Sequence, residues 1–199
     1  MSPLMREFYD RSAVEVAREL LGCHLVRKLN GHGLVGIICE TEAYQGEEDL
    51  GCHAHVGKTA RNAVMYDAPG HAYIYFTYGM HWLLNAVTGP ENVAAAVLIR
   101  SVYPLDGLDQ MVLNRPNLAY RKDWLNGPAK ICQAFGLGGR MNGVDLCDPI
   151  GELMIEQGKS VPEVEVRTSA RIGLFTVPEP WKSIPWRFMA DMSALGKLR

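Results

Sequence analysis

The spacing of apolar residues near the start of the chain predicts a helix over residues 12–21. Val14, Ala17 and Leu21 fall on one face at the helical period. Ser12 and Glu15 form a capping-box pattern at its beginning, and the glycine directly after residue 21 is a stop signal. This is the first helix that the sequence predicts.

Most later apolar runs are short, rich in β-branched and aromatic residues, and bounded by turn residues, which is typical of strands. The predicted strands cover residues 23–29, 34–44, 71–78, 82–87, 94–102, 153–156 and 164–167. Turns at 30–33 and at Gly79-Met80 join neighbouring strands into hairpins. Two further helices are expected near 105–113 and 128–135, and the polar stretch 45–62 should be an exposed loop with room for a short helix.

This order of elements predicts one domain of the mixed α/β (α+β) class over residues 1–199. Strands joined by tight turns pair antiparallel, and the helices at the start and late in the chain remain to cover the sheet. We therefore expect a curved, largely antiparallel sheet flanked by helices, with a protruding β-hairpin. The C-terminal part, rich in proline and tryptophan, gives no assignable pattern.

Composition and charge mainly exclude classes of protein. With 48% apolar and 21% charged residues, the chain is typical of a globular protein, neither disordered nor fibrous. No apolar run reaches the roughly 20 residues that span a bilayer, and the first seven residues lack the apolar core of a secretory signal. Five scattered cysteines without a CxxC pair fit a reducing compartment, so we expect a cytoplasmic protein. The net charge of −2 does not favour nucleic-acid binding, which would need a local basic face.

The first candidate for chemistry is the acidic stretch at residues 39–44. Glu40, Glu42 and Tyr44 point to the same face of the predicted strand. Two adjacent carboxylates repel each other and raise the pKa of one, which is a way to make a general base. In the alternative interpretation, one glutamate makes a structural hydrogen bond and the other faces solvent.

The second candidate is the aromatic hairpin at residues 73–82. Alternation places two sets of side chains on opposite sides: Tyr73, Tyr75 and Thr77 on one, and Ile74, Phe76 and Tyr78 on the other. An aromatic side chain stacked on a base contributes about 1–3 kcal/mol, so two or three could offset the cost of extruding one base. The alternative is that these rings only pack against the core.

The third candidate is a metal site built on Cys52, His53 and His55. Their spacing matches no established ligand pattern, so the sequence predicts no metal and no cofactor. Phosphate-binding and serine-nucleophile motifs are also absent from the sequence, and no lysine stands in a context that marks a Schiff-base nucleophile.

Taken together, several segments resemble the alkyladenine (3-methyladenine) DNA glycosylase family of bacteria and animals. The matching segments occur in the family's order: ETEAY at 40–44, HA at 53–54, TARNAVM at 59–65, YIYFTYGMHWLLN at 73–85, VLIR at 97–100, GPAKICQA at 127–134 and ARIG at 170–173. Each segment alone is weak, whereas the ordered set is highly specific.

The resemblance implies an enzyme that flips an alkylated or deaminated purine out of double-stranded DNA and hydrolyses its bond to the sugar. It implies that Glu42 is the general base that deprotonates the attacking water, and that Arg100 lies near this water and the DNA backbone. The implied base-binding residues are Tyr44, His53, Tyr75, Asn85 and His81. The implied DNA-contacting residues are Tyr78, which would enter the vacated space, and Met65, Arg61 and Lys130. Strand alternation alone does not choose between Glu40 and Glu42; the family match does.

Some positions depart from the family pattern and leave the preferred lesion open. His81 replaces an aromatic residue of animal members, Ala60 stands where proline is usual, and Cys52 where alanine or a small hydroxylated residue is common. We expect a monomer that leaves an abasic site without cutting the backbone. Three other interpretations remain at this point: a non-catalytic binder of damaged DNA, a zinc hydrolase, and a structural α/β module.

Overall fold

The computed structural model of the protein describes residues 2–116 and 125–190. In chain order, the α-helices of these ranges are α1 (Arg6–Tyr9), α2 (Ala13–Glu19), α3 (Leu108–Asn114) and α4 (Pro128–Ala134). The predicted capping box is present, since the Ser12 side chain accepts from the backbone of Glu15 and the Glu15 side chain accepts from the backbone of Ser12. No helix of the described residues is long and apolar enough to cross a membrane.

Within residues 2–116 and 125–190, the strands form one eight-stranded sheet in which every pairing is antiparallel. They are β1 (His24–Leu29), β2 (His32–Gln45), β3 (Ala72–Thr77), β4 (His81–Val87), β5 (Ala95–Asp106), β6 (Leu153–Glu156), β7 (Val166–Ser169) and β8 (Arg187–Ala190). The main order is β3-β4-β5-β2-β1-β6, and β8 pairs with both β2 and β7. The sheet is curled and covered by helices, which confirms the predicted α+β class with a curved antiparallel sheet.

Several predicted boundaries were wrong, and each has a local cause. The turn between β1 and β2 is shorter than 30–33 because Asn30 and Gly31 both adopt positive φ and close it in two residues. Strand β5 continues to Asp106, so the helix expected from residue 105 begins only at Leu108. Strand β7 begins at Val166 because a short 3-10 helix, Glu163–Glu165, precedes it. Helix α1 and strand β8 were not predicted.

The two faces of β2 have different surroundings. Thr41 is buried and donates a hydrogen bond from its hydroxyl to the Ala17 carbonyl of α2, 2.7 Å away. Ala43, on the same face, belongs to the main hydrophobic core. The alternate residues Glu42 and Tyr44 point to the other face, where their side chains are hydrogen-bonded to each other. The predicted strand alternation is therefore confirmed, and α2 holds the back of the strand that carries both residues.

Candidate active site

A cavity of about 330 Å³ lies on the concave side of the sheet, between strands that are not neighbours. Tyr44 of β2 and Tyr75 of β3 both line it, while Asn85 of β4 and Leu98 of β5 line it from the two strands in between. Adjacent strands lie about 4.8 Å apart, so three steps separate the backbones of β2 and β3 by about 14 Å. Side chains from a curled sheet reach inward across this distance, so both tyrosines border the same cavity. We call the part of the cavity between Tyr44 and Tyr75 the slot.

Glu42 lies directly behind the cavity wall, and its side chain is fully buried. Its Oε1 accepts a hydrogen bond from the backbone N–H of Ile172 at 2.7 Å. Its Oε2 accepts from the Tyr44 hydroxyl at 2.9 Å and from the Arg100 guanidinium at 3.3 Å. All three donors belong to residues that line the cavity. The carboxylate is thus one residue layer away from any group that occupies the slot.

Burial raises the pKa of Glu42, although three neighbours oppose the effect. Desolvation disfavours the charged form, whereas Arg100 and the hydrogen bonds from Ile172 and Tyr44 favour it. Glu40 adds only the smallest of these contributions. The paired carboxylate raises the pKa as the sequence predicts, but burial is the larger cause. A raised pKa beside a cavity is a property that a general base working near neutral pH requires.

Glu40 holds the arginine that faces Glu42. Its Oε1 accepts from Nε of Arg100 at 3.0 Å and from Nε of Arg187 at 2.6 Å. Arg187 belongs to β8, which was not predicted, and it donates a second hydrogen bond to the Ser169 hydroxyl. The two glutamates thus share Arg100 between them and have different environments, since only Glu42 is fully buried.

A buried ion pair fixes the segment that carries Ile172. Arg171 and Asp49 are both fully buried and joined by two hydrogen bonds, one of 2.8 Å between Nη2 and Oδ1. Arg171 also donates to the carbonyls of Ala43 and Trp181, and its guanidinium lies 4.7 Å from the centre of the Tyr44 ring. Sequence reasoning missed Asp49 and Arg171. The ARIG segment was the available signal, but nothing in the sequence named its partner.

The opposite wall is a cluster of three aromatic side chains. The His53 ring packs edge-on against Tyr75 with ring centres 4.5 Å apart, and its Nδ1 is 3.0 Å from the Tyr73 hydroxyl. Burial, with smaller contributions from Arg61 and His55, lowers the pKa of His53 to about 4. Its imidazole is therefore neutral at pH 7, which leaves the cavity wall uncharged on this side.

Asn85 and Met65 are buried residues of the cavity lining. Asn85 donates from its side-chain amide to the Tyr73 carbonyl at 3.0 Å, which fixes the amide at the floor. Met65, expected to contact DNA, is only 2% exposed and contributes to the lining from the 3-10 helix Ala63–Tyr66. The structure thus places Met65 beside the slot rather than on the outer surface.

The hairpin of β3 and β4 carries Tyr78 at its tip. Tyr78 has a positive φ of 51° and is 85% exposed, yet its side chain also borders the cavity. Gly79 follows with a φ of 67°, which glycine adopts without strain. His81 pairs with Thr77 at the base of this turn and lies outside the described cavity lining.

Two predicted DNA-contacting cations lie on the exterior. Arg61 is exposed, donates to the Phe76 carbonyl at 3.2 Å, and lies over the Tyr75 ring at 5.5 Å from its centre. Lys130, in α4, donates from Nζ to the Asn126 side chain at 2.6 Å. Arg61 is exposed and Lys130 is partly exposed, and their contact with DNA stays a prediction.

The residues considered for a metal site have separate partners. Cys52 is buried and its Sγ accepts from the backbone N–H of Ala54. His53 pairs with the Tyr73 hydroxyl, whereas Nδ1 of His55 lies 2.7 Å from the Cys52 carbonyl. Within residues 2–116 and 125–190, no three His, Cys, Asp or Glu side chains form a group that could hold a metal ion.

Comparison with known proteins identifies the family of the chain. The family model described as methylpurine-DNA glycosylase matches residues 7–194. The chain belongs to this family. A protein of Carboxydothermus hydrogenoformans is 45% identical over 93% of both chains, and one of Methanocella arvoryzae is 45% identical over 94% of this chain and 92% of its own. A third, of Burkholderia orbicola, is 42% identical over 92% of this chain and 85% of its own. Each carries the name "Putative 3-methyladenine DNA glycosylase".

In this methylpurine-DNA glycosylase family member, Asp49→Asn should lower the free energy of unfolding by about 3–5 kcal/mol, because it leaves the buried Arg171 charge without its counterion. Equilibrium denaturation in urea measures this loss. Glu19→Gln is the matched control, since the Arg11–Glu19 pair is 2.8 Å long but partly exposed, and removing it should cost less than about 1 kcal/mol. Equal losses in the two variants would show that the buried pair contributes no more to the free energy of unfolding than the partly exposed one.

Proposed function

We propose that the protein is a DNA repair enzyme that hydrolyses the N-glycosidic bond of an alkylated or deaminated purine extruded from double-stranded DNA. The observation that carries the proposal is the buried Glu42 carboxylate, which shares a 2.9 Å hydrogen bond with Tyr44, a wall of a slot for one ring. Membership of the methylpurine-DNA glycosylase family and the names of its relatives support the substrate class.

The slot would bind the extruded base by stacking. Tyr44 and Tyr75 present aromatic surfaces from opposite sides, and Leu98 and Ala96 give the floor an apolar character. Alkylation at N3 or N7 places a positive charge on a purine and strengthens its attraction to electron-rich rings. A cavity of about 330 Å³ lies at the small end of the range for ligand sites, which suits a single base.

Tyr78 would fill the space that the extruded base leaves in the duplex. It stands at the tip of the β3–β4 hairpin, is 85% exposed and borders the slot that receives the base. Apolar and aromatic side chains that wedge between base steps offset part of the unstacking energy. The same hairpin therefore supplies one wall of the slot through Tyr75 and the wedge through Tyr78.

Glu42 would activate the water that attacks the anomeric carbon. A carboxylate offers about four acceptor positions; Ile172, Tyr44 and Arg100 occupy three, which leaves one on Oε1 for a water proton. As the base departs, positive charge develops on the sugar, and the nearby carboxylate stabilises it. Arg100 would orient the carboxylate while Glu40 balances its charge.

The reaction would leave an abasic site with an intact backbone. Cutting the backbone through a covalent intermediate requires an amine nucleophile, and none of the described residues that line the cavity is a lysine. Cys52 also lines the cavity, but burial raises the pKa of its thiol to about 12, so it stays protonated and weakly nucleophilic.

Glu42→Gln should abolish release of free base from a duplex with one modified purine, because an amide cannot accept the proton of the attacking water. Binding to an abasic-site mimic should be kept. Glu40→Gln is the matched control from the same strand face and should retain measurable excision.

Single-turnover assays with a panel of duplexes, each with one modified purine, measure the release of free base by the two variants. Full activity in Glu42→Gln would remove this residue from the role, and full loss in Glu40→Gln alone would transfer the role to it. If wild-type protein bound lesion duplexes but released no base, the protein would be a non-catalytic binder.

As the pH is lowered, the rate of base release should fall at a pH above the usual pKa range of glutamate, because burial raises the pKa of Glu42 and protonated Glu42 cannot act as a base. We call this fall the acid limb of the pH profile. Since the Arg100 charge lowers the pKa of Glu42, Arg100→Gln should move the acid limb to still higher pH. Arg187→Gln loses contacts with Glu40 and Ser169 but none with Glu42, so its rate should begin to fall at a pH closer to that of the wild type. Single-turnover rates against pH test this, and an acid limb that Arg100→Gln leaves in place would contradict it.

Tyr78→Asn should weaken binding to lesion-containing duplex about fivefold or more, because stacking of one aromatic side chain on a base is worth about 1–3 kcal/mol. Asparagine tolerates the positive φ of this position, so the hairpin should keep its shape and the melting temperature should not fall. Tyr78→Phe keeps the ring and should bind as wild type does. An unchanged dissociation constant in Tyr78→Asn would exclude the wedge.

A further inference from the structure

Each tyrosine wall of the slot has a guanidinium over its ring. Arg171 lies 4.7 Å from the centre of the Tyr44 ring and Arg61 lies 5.5 Å from the centre of the Tyr75 ring. Neither arginine belongs to the described cavity lining, so both approach the rings from outside the slot. A base between the tyrosines would therefore lie between two cations, each one ring away.

The two cations differ in how their charge is balanced. Arg171 is fully buried and forms a two-bond ion pair with Asp49, so its field at the slot is largely cancelled. Arg61 is exposed, and its side-chain contact is a hydrogen bond to the Phe76 carbonyl; among the described residues no carboxylate pairs with it. The uncompensated charge next to the slot is thus that of Arg61.

The charge of Arg61 acts on His53, which lines the cavity. The His53 ring packs against Tyr75 and lines the cavity. After burial, the largest contribution to its lowered pKa comes from the positive charge of Arg61, with a smaller one from His55. Arg61 therefore disfavours a second positive charge at the wall of the slot, and an alkylated purine brings such a charge.

We propose that Arg61 is a specificity-determining residue that weakens the preference of the slot for cationic over neutral purines. The inference rests on the proposed function. The Arg61 cation over Tyr75 repels a positively charged base on the other side of the ring. It also interacts with the π electrons of Tyr75, which weakens their attraction for the charged base. A neutral base such as hypoxanthine stacks on the same ring without this penalty. Arg61 thus broadens the enzyme towards uncharged lesions.

The test compares two duplexes, one with a single 7-methylguanine, which is cationic, and one with a single hypoxanthine, which is neutral. Single-turnover release is measured at saturating enzyme, so that weaker DNA binding does not enter, and the uncatalysed loss of 7-methylguanine is subtracted. Arg61→Gln should raise the ratio of the rate constant for 7-methylguanine to that for hypoxanthine about two- to fivefold at low salt. Arg61→Lys keeps the charge and should stay near the wild-type ratio.

Lys130→Gln serves as a control for general DNA contact, since Lys130 is another exterior cation of this face and should not change the ratio. An Arg61→Gln variant whose two rates change by the same factor would overturn the proposal and make Arg61 a DNA contact alone. If wild-type protein released neither base, the proposed function itself would fail, and this outcome is distinct from an unchanged ratio.

A second measurement needs no DNA and no catalysis. In Arg61→Gln, the His53 pKa, about 4 in the native protein, should rise because one of the charges that lowers it is gone. Titration of the imidazole by NMR, with Arg61→Lys as the charge-preserving control, gives this value. A His53 pKa that is equal in all three proteins would show that the Arg61 charge does not reach the slot, and the proposal would be wrong.

Discussion

The site depends on holding one carboxyl group, that of Glu42, inside the protein. An ionised carboxylate in an apolar interior is strongly unfavourable unless hydrogen bonds and a counter-charge replace its water. Glu42 receives these from Tyr44 on its own strand, from Arg100 on β5, and from the backbone of Ile172 in the segment after β7. Three parts of the chain that lie far apart in sequence must therefore meet at this group. The pKa remains raised even so, which keeps the carboxylate reactive towards a proton.

The surrounding structure can be understood as support for that group. Asp49 and Arg171 lock the segment of Ile172 against the back of Tyr44, and because both charges are buried, the pair tolerates little change in geometry. Glu40 and Arg187 hold Arg100 from its other side. The sheet itself supplies the slot, because two strands lie between β2 and β3 and its curl turns the side chains of both towards one space.

Sequence pattern predicted the features that depend on local geometry. The two-residue period of strands placed Glu42 with Tyr44 on one face of β2, and Tyr73 with Tyr75 on the side of β3 that lines the cavity, as observed. It was wrong for Tyr78, which it put on the side opposite Tyr75, because Tyr78 lies in the turn with a positive φ and also borders the cavity. It did not predict strand order, β8, or the pairing of Asp49 with Arg171, since residues 122 positions apart leave no mark on local spacing. It attributed a raised pKa of one glutamate to the adjacent carboxylate without choosing between Glu40 and Glu42. Burial, which is the larger cause at Glu42, depends on the whole fold and not on neighbours in sequence.

Two local rules of protein structure are broken, and both exceptions lie at the same cavity. An ionisable Glu42 is fully buried, and the bulky Tyr78 adopts a positive φ while exposing most of its ring. Each arrangement costs stability, because a buried charge is poorly solvated and a left-handed backbone is uncommon for a residue with a large side chain. Folding alone gives no reason to retain either arrangement. Both belong to residues to which the proposed function assigns a step, since Tyr78 would support extrusion of the base and Glu42 would activate the water that hydrolyses its bond to the sugar.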